Sequence, residues 1–407
     1  MEGIDTLVVG GGQAGIAVSA HLRRRAIPHL VLERARVAER WRSERWDSLV
    51  ANGPAWHDRF PSAAFEGIDG DAFATREQMV AYFADHARRI GAPVREGVAV
   101  TRLAPCAGGW RAETSAGAFE ARDVVVATGP FQVPVIPPLV PEGADVAQLH
   151  SRDYRNPGAL APGGVLVIGA GSSGAQIADE LSRAGRRMFL SVGPHDRPPR
   201  RYRGRDYCWW LGVLGKWGAT APDPATAHVT ISVSGMRGGE TVDFRRLAAQ
   251  GVTLLGMAEG WADGTMTFAD DLAANVAAGD ANLASVLDEA DAYAEANGLD
   301  LPADEAARER LPDPACLTEP IRSLDLAAEG IGTVLWATGY RTDFSWIDAP
   351  EVFDAEGRPM HERGVSVALG LHFLGLPWLS CRGSSFIWGV WPDAEHLAER
   401  IAGRAAA

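Results

Sequence analysis

The chain has 407 residues, enough for two or three domains, and its 46% hydrophobic and 22% charged residues are typical of a globular protein. Its formal net charge of −13 argues against a nucleic-acid-binding protein, which would need a broad basic face. The sequence shows no apolar run of the roughly 20 residues that cross a bilayer, no signal-peptide pattern, and four isolated cysteines. We therefore expect a cytoplasmic protein without a transmembrane segment.

The first elements in the chain form a β-α-β unit. Residues 5–9 predict a buried strand, residues 13–25 an amphipathic helix and residues 27–34 a second strand. A loop rich in Trp, Arg and Gly follows over residues 41–61, and residues 75–93 predict a helix that stops at Gly-Ala-Pro. Three strands joined by tight turns complete this block.

A second β-α-β unit follows a linker. Residues 131–143 carry four prolines and predict the linker. The second unit has a strand from Val165, a helix over 174–185 and a strand over 187–192, and residues 195–206 beyond it are rich in arginine.

The remaining elements are fewer and longer. An aromatic run follows the arginines, and residues 269–297 predict a long helix. Residues 330–340 predict another buried strand with a glycine turn, and a last helix begins near Pro392.

Each β-α-β unit carries the spacing Gly-x-Gly-x-x-Gly between its first strand and its helix. The glycines are Gly10, Gly12 and Gly15 in the first unit and Gly169, Gly171 and Gly174 in the second. In such a turn the first glycine permits the tight bend, the second lets the backbone approach a pyrophosphate, and the third allows the helix to pack on the strand. One such match is weak, and two unrelated glycine turns are the alternative. Two matches in this context predict two dinucleotides that exchange a hydride.

These patterns predict an α/β protein with two Rossmann-like dinucleotide-binding domains. The first domain is discontinuous, residues 1–150 and 326–407, and is expected to bind FAD. The second, residues 151–325, contains an inserted helical segment and is expected to bind NADPH.

The choice of FAD for the first unit depends on an acid at the end of its second strand. Glu33 lies 18 residues beyond Gly15, where a carboxylate can accept hydrogen bonds from ribose hydroxyls. We therefore expect Glu33→Ala to weaken retention of the flavin. Further candidate contacts to this cofactor are Gln13, Ala14, Arg34, Trp41 and Trp46.

The choice of NADPH for the second unit depends on basic residues. Its second strand ends in Ser191-Val192-Gly193 without an acid, and Arg197, Arg200 and Arg201 follow. Cations at this place suit a ribose 2′-phosphate, which an acid would repel. A solvated basic loop is the alternative. We expect Arg200→Ala or Arg201→Ala to weaken NADPH binding more than NADH binding, and Ser172 and Ser173 to contact the same nucleotide.

The chain resembles the class B flavin monooxygenases along nearly its whole length. The resemblance includes GGGQAG, GAGSSG, the Ala-Thr-Gly segments at 127–129 and 337–339, and the C-terminal FLGLPW…RGSSFIWGVWPDAEHLAERI. That family includes the trimethylamine and flavin-containing monooxygenases, the plant indole-3-pyruvate monooxygenases and the Baeyer–Villiger enzymes. Its Phe-x-Gly-x-x-x-His-x-x-x-(Tyr/Trp) motif is present only in part, as His150 and Tyr154.

The resemblance implies a reaction and a set of residues. NADPH would reduce FAD, the reduced flavin would form a C4a-(hydro)peroxide with O2, and one oxygen atom would pass to a small organic substrate through N-, S- or carbonyl-carbon oxygenation. The resemblance makes Asn52 the candidate catalytic residue, and a turn asparagine is the alternative. The cofactor contacts that it adds are Thr128, Gly129, Thr338 and Gly339.

The C-terminal helix adds a physical argument. Its positive N-terminal end near the flavin would stabilise the anionic reduced ring. Arg382, Ser384 and Ser385, just upstream, are candidates to line the flavin or nicotinamide, and a simple surface helix is the alternative.

Other functions fit the same architecture. An FAD-dependent NAD(P)H reductase of a ferredoxin, quinone or small acceptor is the main alternative, and a non-catalytic flavin redox sensor is a further one. A metal site is not expected, and a homodimer is compatible with the sequence. We expect the substrate pocket to form from the 41–61 loop, the 203–220 segment and the 220–325 region.

Overall fold

The computed structural model describes residues 2–221 and 230–405, so part of the 220–325 region that the sequence assigns to the substrate pocket, residues 222–229, lies outside the described residues. The strands are β1 (Glu2–Val9), β2 (His29–Glu33), β3 (Val94–Glu96), β4 (Val100–Cys106), β5 (Gly109–Thr114), β6 (Gly117–Val126), β7 (Val133–Pro134), β8 (Ala147–His150), β9 (Gly164–Ile168), β10 (Met188–Ser191), β11 (Arg201–Tyr202), β12 (Arg205–Asp206), β13 (Val252–Leu255), β14 (Ala258–Ala262), β15 (Thr265–Phe268), β16 (Ser323–Asp325), β17 (Ile331–Trp336), β18 (Tyr340–Arg341), β19 (His361–Glu362), β20 (Val365–Ser366) and β21 (Leu371–Phe373). The helices are α1 (Gln13–Arg24), α2 (Glu39–Ser43), α3 (Arg76–Arg89), α4 (Ser172–Arg183), α5 (Tyr207–Val213), α6 (Met236–Gly239), α7 (Phe244–Ala249), α8 (Leu272–Ala296), α9 (Ala315–Thr318) and α10 (Val390–Ala405). Among these helices none combines the length and apolar character needed to cross a bilayer.

The strands form two large sheets. The first has nine strands, with β1 lying between β2 and β6 in parallel, β21 parallel to β6, and β4 and β5 attached to β6 as an antiparallel meander. The second is a five-stranded parallel sheet of order β13-β10-β9-β17-β8. The predicted α/β class with two Rossmann-like units is therefore confirmed.

The apolar runs read from the sequence become strands in the interior of these sheets. Thr6 to Val9 of β1 and all of β9 are buried, as expected for parallel strands covered on both faces. Thr75 caps the N-terminus of helix α3, and its side chain and that of Gln78 form a reciprocal capping box. Helix α10 packs on α1 behind the first sheet.

The boundaries between the units differ from those predicted. Strands β8 and β17 pair with each other in the second sheet, with Thr333 opposite Ala147. The predicted boundaries at 150/151 and 325/326 therefore move to before residue 147 and after residue 336. The physical reason is long-range pairing, which local periodicity does not report.

The chain crosses between the units twice, and the two crossings are paired. Strands β7 and β18 form a two-stranded antiparallel ribbon, and the Val135 amide donates to the Gly339 carbonyl at 3.0 Å. The Thr338 hydroxyl donates to the Val135 carbonyl, and His150 Nε2 lies 3.0 Å from the Gly339 carbonyl. Since His150 Nδ1 accepts the Arg152 amide, Nε2 is the donor, and His150 is a structural link at the crossover.

Candidate functional site

The first glycine turn, Gly10–Gly15, joins β1 to α1 at the carboxyl edge of the first sheet. Gly10 has φ +109°, and a Cβ there would lie 2.7 Å from the Ala127 carbonyl oxygen. A Cβ on Gly15 would lie 1.9 Å from the Gly10 carbonyl oxygen, so both positions require glycine. A Cβ on Gly12 would meet no atom within 4 Å, which leaves open space where a pyrophosphate can approach.

Glu33 lies beside this turn with its carboxylate held by backbone. Its Oε2 accepts the Gly11 amide at 2.7 Å, and its Oε1 accepts the Ala35 amide at 2.9 Å. Each oxygen has a further lone pair available for a ribose hydroxyl. An open glycine turn with such a carboxylate fits the adenosine end of FAD.

The C-terminal segment closes the same site from the other side. The Gln13 side-chain amide donates to the Ser385 carbonyl at 2.7 Å, which ties the start of α1 to the turn before α10. The Ser384 hydroxyl is buried and accepts the Ser380 and Cys381 amides, so Ser384 shapes the turn instead of facing a ligand. Arg382 lies beside the Tyr207 hydroxyl, whose pKa burial raises to about 12.

The two Ala-Thr-Gly segments occupy equivalent places in the two units. Ala127 lies against Gly10, and the Ala337 carbonyl oxygen would lie 2.6 Å from a Cβ on Gly169. In the first segment the Thr128 hydroxyl and the Gly129 carbonyl both accept the Gln132 side chain. Each segment therefore lies beside one glycine turn.

Four residues predicted to contact the flavin lie elsewhere or serve the core. Trp46 is buried in the core of the second unit, with its ring 6.5 Å from that of Tyr154. Trp41 is half-buried and packs against the cores of both units. Arg34 is exposed and lies 3.7 Å from Glu44. Ala14 is buried within α1, so it contributes packing to the turn.

The second glycine turn, Gly169–Gly174, repeats the geometry of the first. Gly169 has φ +105°, and a Cβ on Gly174 would lie 1.8 Å from the Gly169 carbonyl oxygen. The difference is at Gly171, whose Cβ would meet Thr230 Cγ2 at 3.1 Å. The Ser172 amide donates to the Ile231 carbonyl at 2.9 Å. Ser173 is half-buried in the first turn of α4.

Residues Thr230–Val233, hereafter the 230–233 segment, thus fill the place where a pyrophosphate would lie. In the arrangement that the structure shows, the second glycine turn does not fit a bound nicotinamide nucleotide.

Two of the arginines predicted to bind the 2′-phosphate are buried in internal ion pairs. Arg197 donates to Asp280 at 2.7 Å. Arg200 is 2% exposed, pairs with Asp206 and donates to the Asn52 carbonyl at 2.5 Å. The prediction that these two arginines bind the 2′-phosphate is therefore corrected. Their guanidinium groups are buried and already paired with carboxylates, so few N–H groups are left for a phosphate. Arg201 is exposed and bonded only weakly, to the Asp71 carbonyl at 3.3 Å.

Asn52 lies where the two units meet. Its Oδ1 accepts the Gln176 side-chain amide of α4 at 2.8 Å, and the same amide donates to the Val233 carbonyl at 2.8 Å. Asn52 itself is exposed, so its amide can still reach a ligand. Gln176 was missed in the sequence, although it lies one helical turn after Ser172 and therefore on the same face of α4.

A cavity of about 420 Å³ opens beside the Asn52 loop. Its walls come from the 41–61 loop, the 203–220 segment and the C-terminal segment, whereas no described residue of the 220–325 region is among its lining residues. Four tryptophans line it, Trp56, Trp209, Trp217 and Trp388, together with His57 and Arg59 among others. The tryptophan rings give this open cavity mostly apolar, aromatic walls.

His57 carries a defined proton on the wall of this cavity. Its Nε2 accepts the Trp388 indole N–H at 2.7 Å, and because an indole nitrogen only donates, Nε2 is unprotonated. The proton is therefore on Nδ1, which donates to Asp58 Oδ1 at 2.7 Å. The other Asp58 oxygen accepts the Gly53 amide at 2.9 Å. A hydrogen-bonded chain thus connects the cavity wall to the residue next to Asn52.

Comparisons with known proteins agree with this architecture. Residues 7–202 match the family described as pyridine nucleotide-disulphide oxidoreductase. An oxidoreductase of Geobacillus kaustophilus described as CzcO-like is 32% identical over 402 residues, which are 98% of both chains. The indole-3-pyruvate monooxygenase YUCCA1 of Oryza sativa is 32% identical over 192 residues, 46% of this chain and 47% of that one.

The fold has a close counterpart among solved structures. The flavin-containing monooxygenase from Stenotrophomonas maltophilia superposes with a TM-score of 0.68 over the full length of both chains, at 20% identity. This likeness shows the shared two-domain α/β fold. The chain belongs to the CzcO-like oxidoreductases, and it is similar to class B flavin monooxygenases.

Proposed function

We propose that this oxidoreductase is an FAD- and NADPH-dependent monooxygenase that transfers one oxygen atom of O2 to a small organic substrate. The observation that carries the proposal is the position of the tryptophan-lined cavity. Trp388, in the wall of the cavity, lies three positions after Ser385 in the chain. The Ser385 carbonyl accepts a hydrogen bond from the Gln13 side chain at the first glycine turn. A substrate in the cavity would therefore lie next to a flavin held at that turn.

The chain's own residues would perform three tasks. The glycine turn and Glu33 would bind the adenosine and pyrophosphate of FAD, which supplies the electron transfer to O2 when bound. The tryptophans would orient the substrate and keep water out. Asn52 would position the reacting groups through its side-chain amide, which cannot discharge an oxidant by giving up a proton.

The choice of NADPH as the reductant is supported by the end of strand β10 in the second unit. Strand β10 ends in Ser191 and leads to Gly193 without an acid, which supports a 2′-phosphorylated nucleotide over NADH. We assign no step to this nucleotide, because the 230–233 segment occupies the second glycine turn.

The test is oxygen incorporation. Purified protein loaded with FAD is supplied with NADPH and 18O2 in the presence of amines, sulfides, ketones and 2-oxo acids, and products are analysed by mass spectrometry. We expect one 18O atom in the product of at least one class. Oxidation of NADPH with electron transfer to a quinone or ferredoxin, and no labelled product, would instead indicate a reductase. A protein that binds no flavin would overturn both functions.

A further inference from the structure

The 230–233 segment is held against the second glycine turn by its own short pairing with the chain that leaves β10. Asp196 and Ile231 form a parallel β-bridge, in which the Asp196 amide donates to the Thr230 carbonyl at 2.8 Å. The Ser232 amide donates back to the Asp196 carbonyl at 2.9 Å. The segment therefore lies across the carboxyl edge of the second sheet, where open α/β sheets bind their ligands.

Its contacts with the turn are specific. The Ile231 carbonyl accepts both the amide and the hydroxyl of Ser172, each at 2.9 Å. The Ser172 hydroxyl also accepts the Val233 amide at 3.2 Å. The fully buried Ser232 hydroxyl donates to the Ala170 carbonyl. A peptide carbonyl thus takes a first-turn N–H of α4, one of the orphan donors that a dinucleotide pyrophosphate would otherwise accept.

The first glycine turn provides an internal control. The two turns agree in the φ of their first glycine, +109° and +105°, and in the close approach of their third glycine to the first. Only the second is filled, since the Cβ position of Gly12 is open and that of Gly171 meets Thr230. The backbones of the two turns are therefore alike, and the space beside Gly171 is filled because the 230–233 segment lies there.

We propose that the 230–233 segment is an intrinsic competitor for the pyrophosphate of the nicotinamide nucleotide, so that the nucleotide binds only as the segment leaves the second glycine turn. The proposal rests on the proposed function, in which that nucleotide is the reductant. The exchange is physically reasonable, because a charged pyrophosphate gains charge-assisted hydrogen bonds and the favourable end of the helix dipole, whereas a carbonyl is neutral.

The competition has a quantitative consequence for affinity. The apparent dissociation constant equals the intrinsic one divided by the fraction of molecules in which the turn is free, so a turn that is free about 10% of the time weakens binding about tenfold. Displacement also reaches Asn52, because Gln176 donates to both Asn52 and Val233. When Val233 leaves, Gln176 keeps Asn52 as its partner.

Hydrogen exchange tests the displacement directly. The FAD-loaded protein is compared with and without saturating NADP+, with binding followed separately by calorimetry. Ligand binding ordinarily slows amide exchange, but here we expect the amides of Asp196, Ser232 and Val233 to exchange faster with NADP+, because their acceptors move away. If calorimetry shows binding while these amides exchange at the same rate or more slowly, the proposal is wrong, and the proposed function is unaffected.

A pair of serine variants tests the competition. Ser232→Ala removes the hydroxyl that holds the segment to Ala170, and a loss of about 1 kcal/mol predicts roughly fivefold tighter NADP+ binding. Ser234→Ala is the matched control, since its hydroxyl accepts the Met236 amide within its own loop, and it should bind like the unaltered protein.

The outcomes of the two variants separate the claims. Tighter binding by Ser232→Ala alone supports the competition, and equal or weaker binding overturns it. If neither variant nor the unaltered protein binds NADP+ or is reduced by NADPH, the nucleotide part of the proposed function fails, and the competition fails with it.

Discussion

Glu33 shows how one side chain can serve two structural purposes. One oxygen accepts the Gly11 amide of the first glycine turn and the other accepts the Ala35 amide just after β2, and we propose that the same oxygens bind the ribose of FAD. The carboxylate is therefore positioned before any ligand arrives, which reduces the entropic cost of binding.

Glu33→Ala should lower the affinity for FAD at least tenfold, because it removes two ribose acceptors and the fixation of Gly11 and Ala35. The ratio of flavin to protein absorbance after gel filtration measures the loss. Glu39→Ala is the control, since its carboxylate binds Arg36 on the surface and should leave the flavin content unchanged. Full occupancy in Glu33→Ala would show that Glu33 does not bind the cofactor.

Arg200 and Arg201 are neighbours in the chain but differ in what they hold. Arg200→Ala would leave Asp206 buried without its charged partner, and we expect the free energy of unfolding to fall by about 3 kcal/mol or more. Arg201→Ala, at an exposed site, should change it by less than about 0.5 kcal/mol. Urea denaturation measures both. Equal stability of the two variants would contradict the structural role of Arg200.

At the scale of elements, α1, α3 and α10 meet in an aromatic cluster that contains two neutral histidines. The His21 ring lies 4.5 Å from that of Trp391, and the His86 ring lies 4.9 Å from that of Phe60. Burial, together with neighbouring arginines, lowers the pKa of both His21 and His86 to about 4. Both imidazole rings are therefore uncharged in the folded protein at neutral pH, whereas they take up protons more readily in the unfolded chain.

The cluster predicts how stability depends on pH. The unfolded chain takes up protons on these histidines as the pH falls below about 6.5, and the folded protein does not until about pH 4. The free energy of unfolding should therefore decrease as the pH falls through this window, by up to about 3 kcal/mol for each histidine. Denaturation curves at several pH values measure the slope.

In His21→Leu the free energy of unfolding should depend less steeply on pH, because the contribution of one of the two histidines is removed. Both ring nitrogens of His21 are buried without a hydrogen-bond partner among the described residues, so the change breaks no such bond that the structure shows. An unchanged slope in His21→Leu would show that His21 is not the group that titrates.

Local patterns predicted the elements well and their long-range partners poorly. The apolar runs and glycine spacings around β1, α1, β9 and α4 are complete within short windows, and the structure has all four elements there. The partner of Arg197, Asp280, lies far along the chain, so Arg197 reads as a free cation in the sequence. The contact between Ser172 and Ile231 likewise depends on pairing with Asp196, which no periodicity reports.

The whole molecule brings the two units together around the tryptophan-lined cavity. The loop after β2 contributes Trp56 and His57, the segment around α5 contributes Trp209 and Trp217, and the C-terminal segment contributes Trp388. The cavity therefore exists only while both units keep their relative position.

Trp217→Ala should raise KM for the oxygenated substrate about tenfold or more, because it removes a ring of the cavity wall whose centroid lies 5.2 Å from that of His57. Steady-state kinetics with the substrate found by 18O labelling measure the change, and flavin content should stay constant. Trp261→Ala, the same truncation on β14 at a residue that does not line the cavity, is the control. Equal KM values for the two variants would place the substrate elsewhere.

The β7–β18 ribbon has a consequence for how this architecture can be altered. Because the chain leaves the first unit at Val135 and returns at Gly339, one hydrogen bond away, the whole intervening stretch begins and ends at a single spot. A different nucleotide-binding domain whose two ends lie equally close together can therefore replace this stretch without a change in the path of the chain through the first unit. The same spot is a natural pivot, so any swing of one half relative to the other would turn about it.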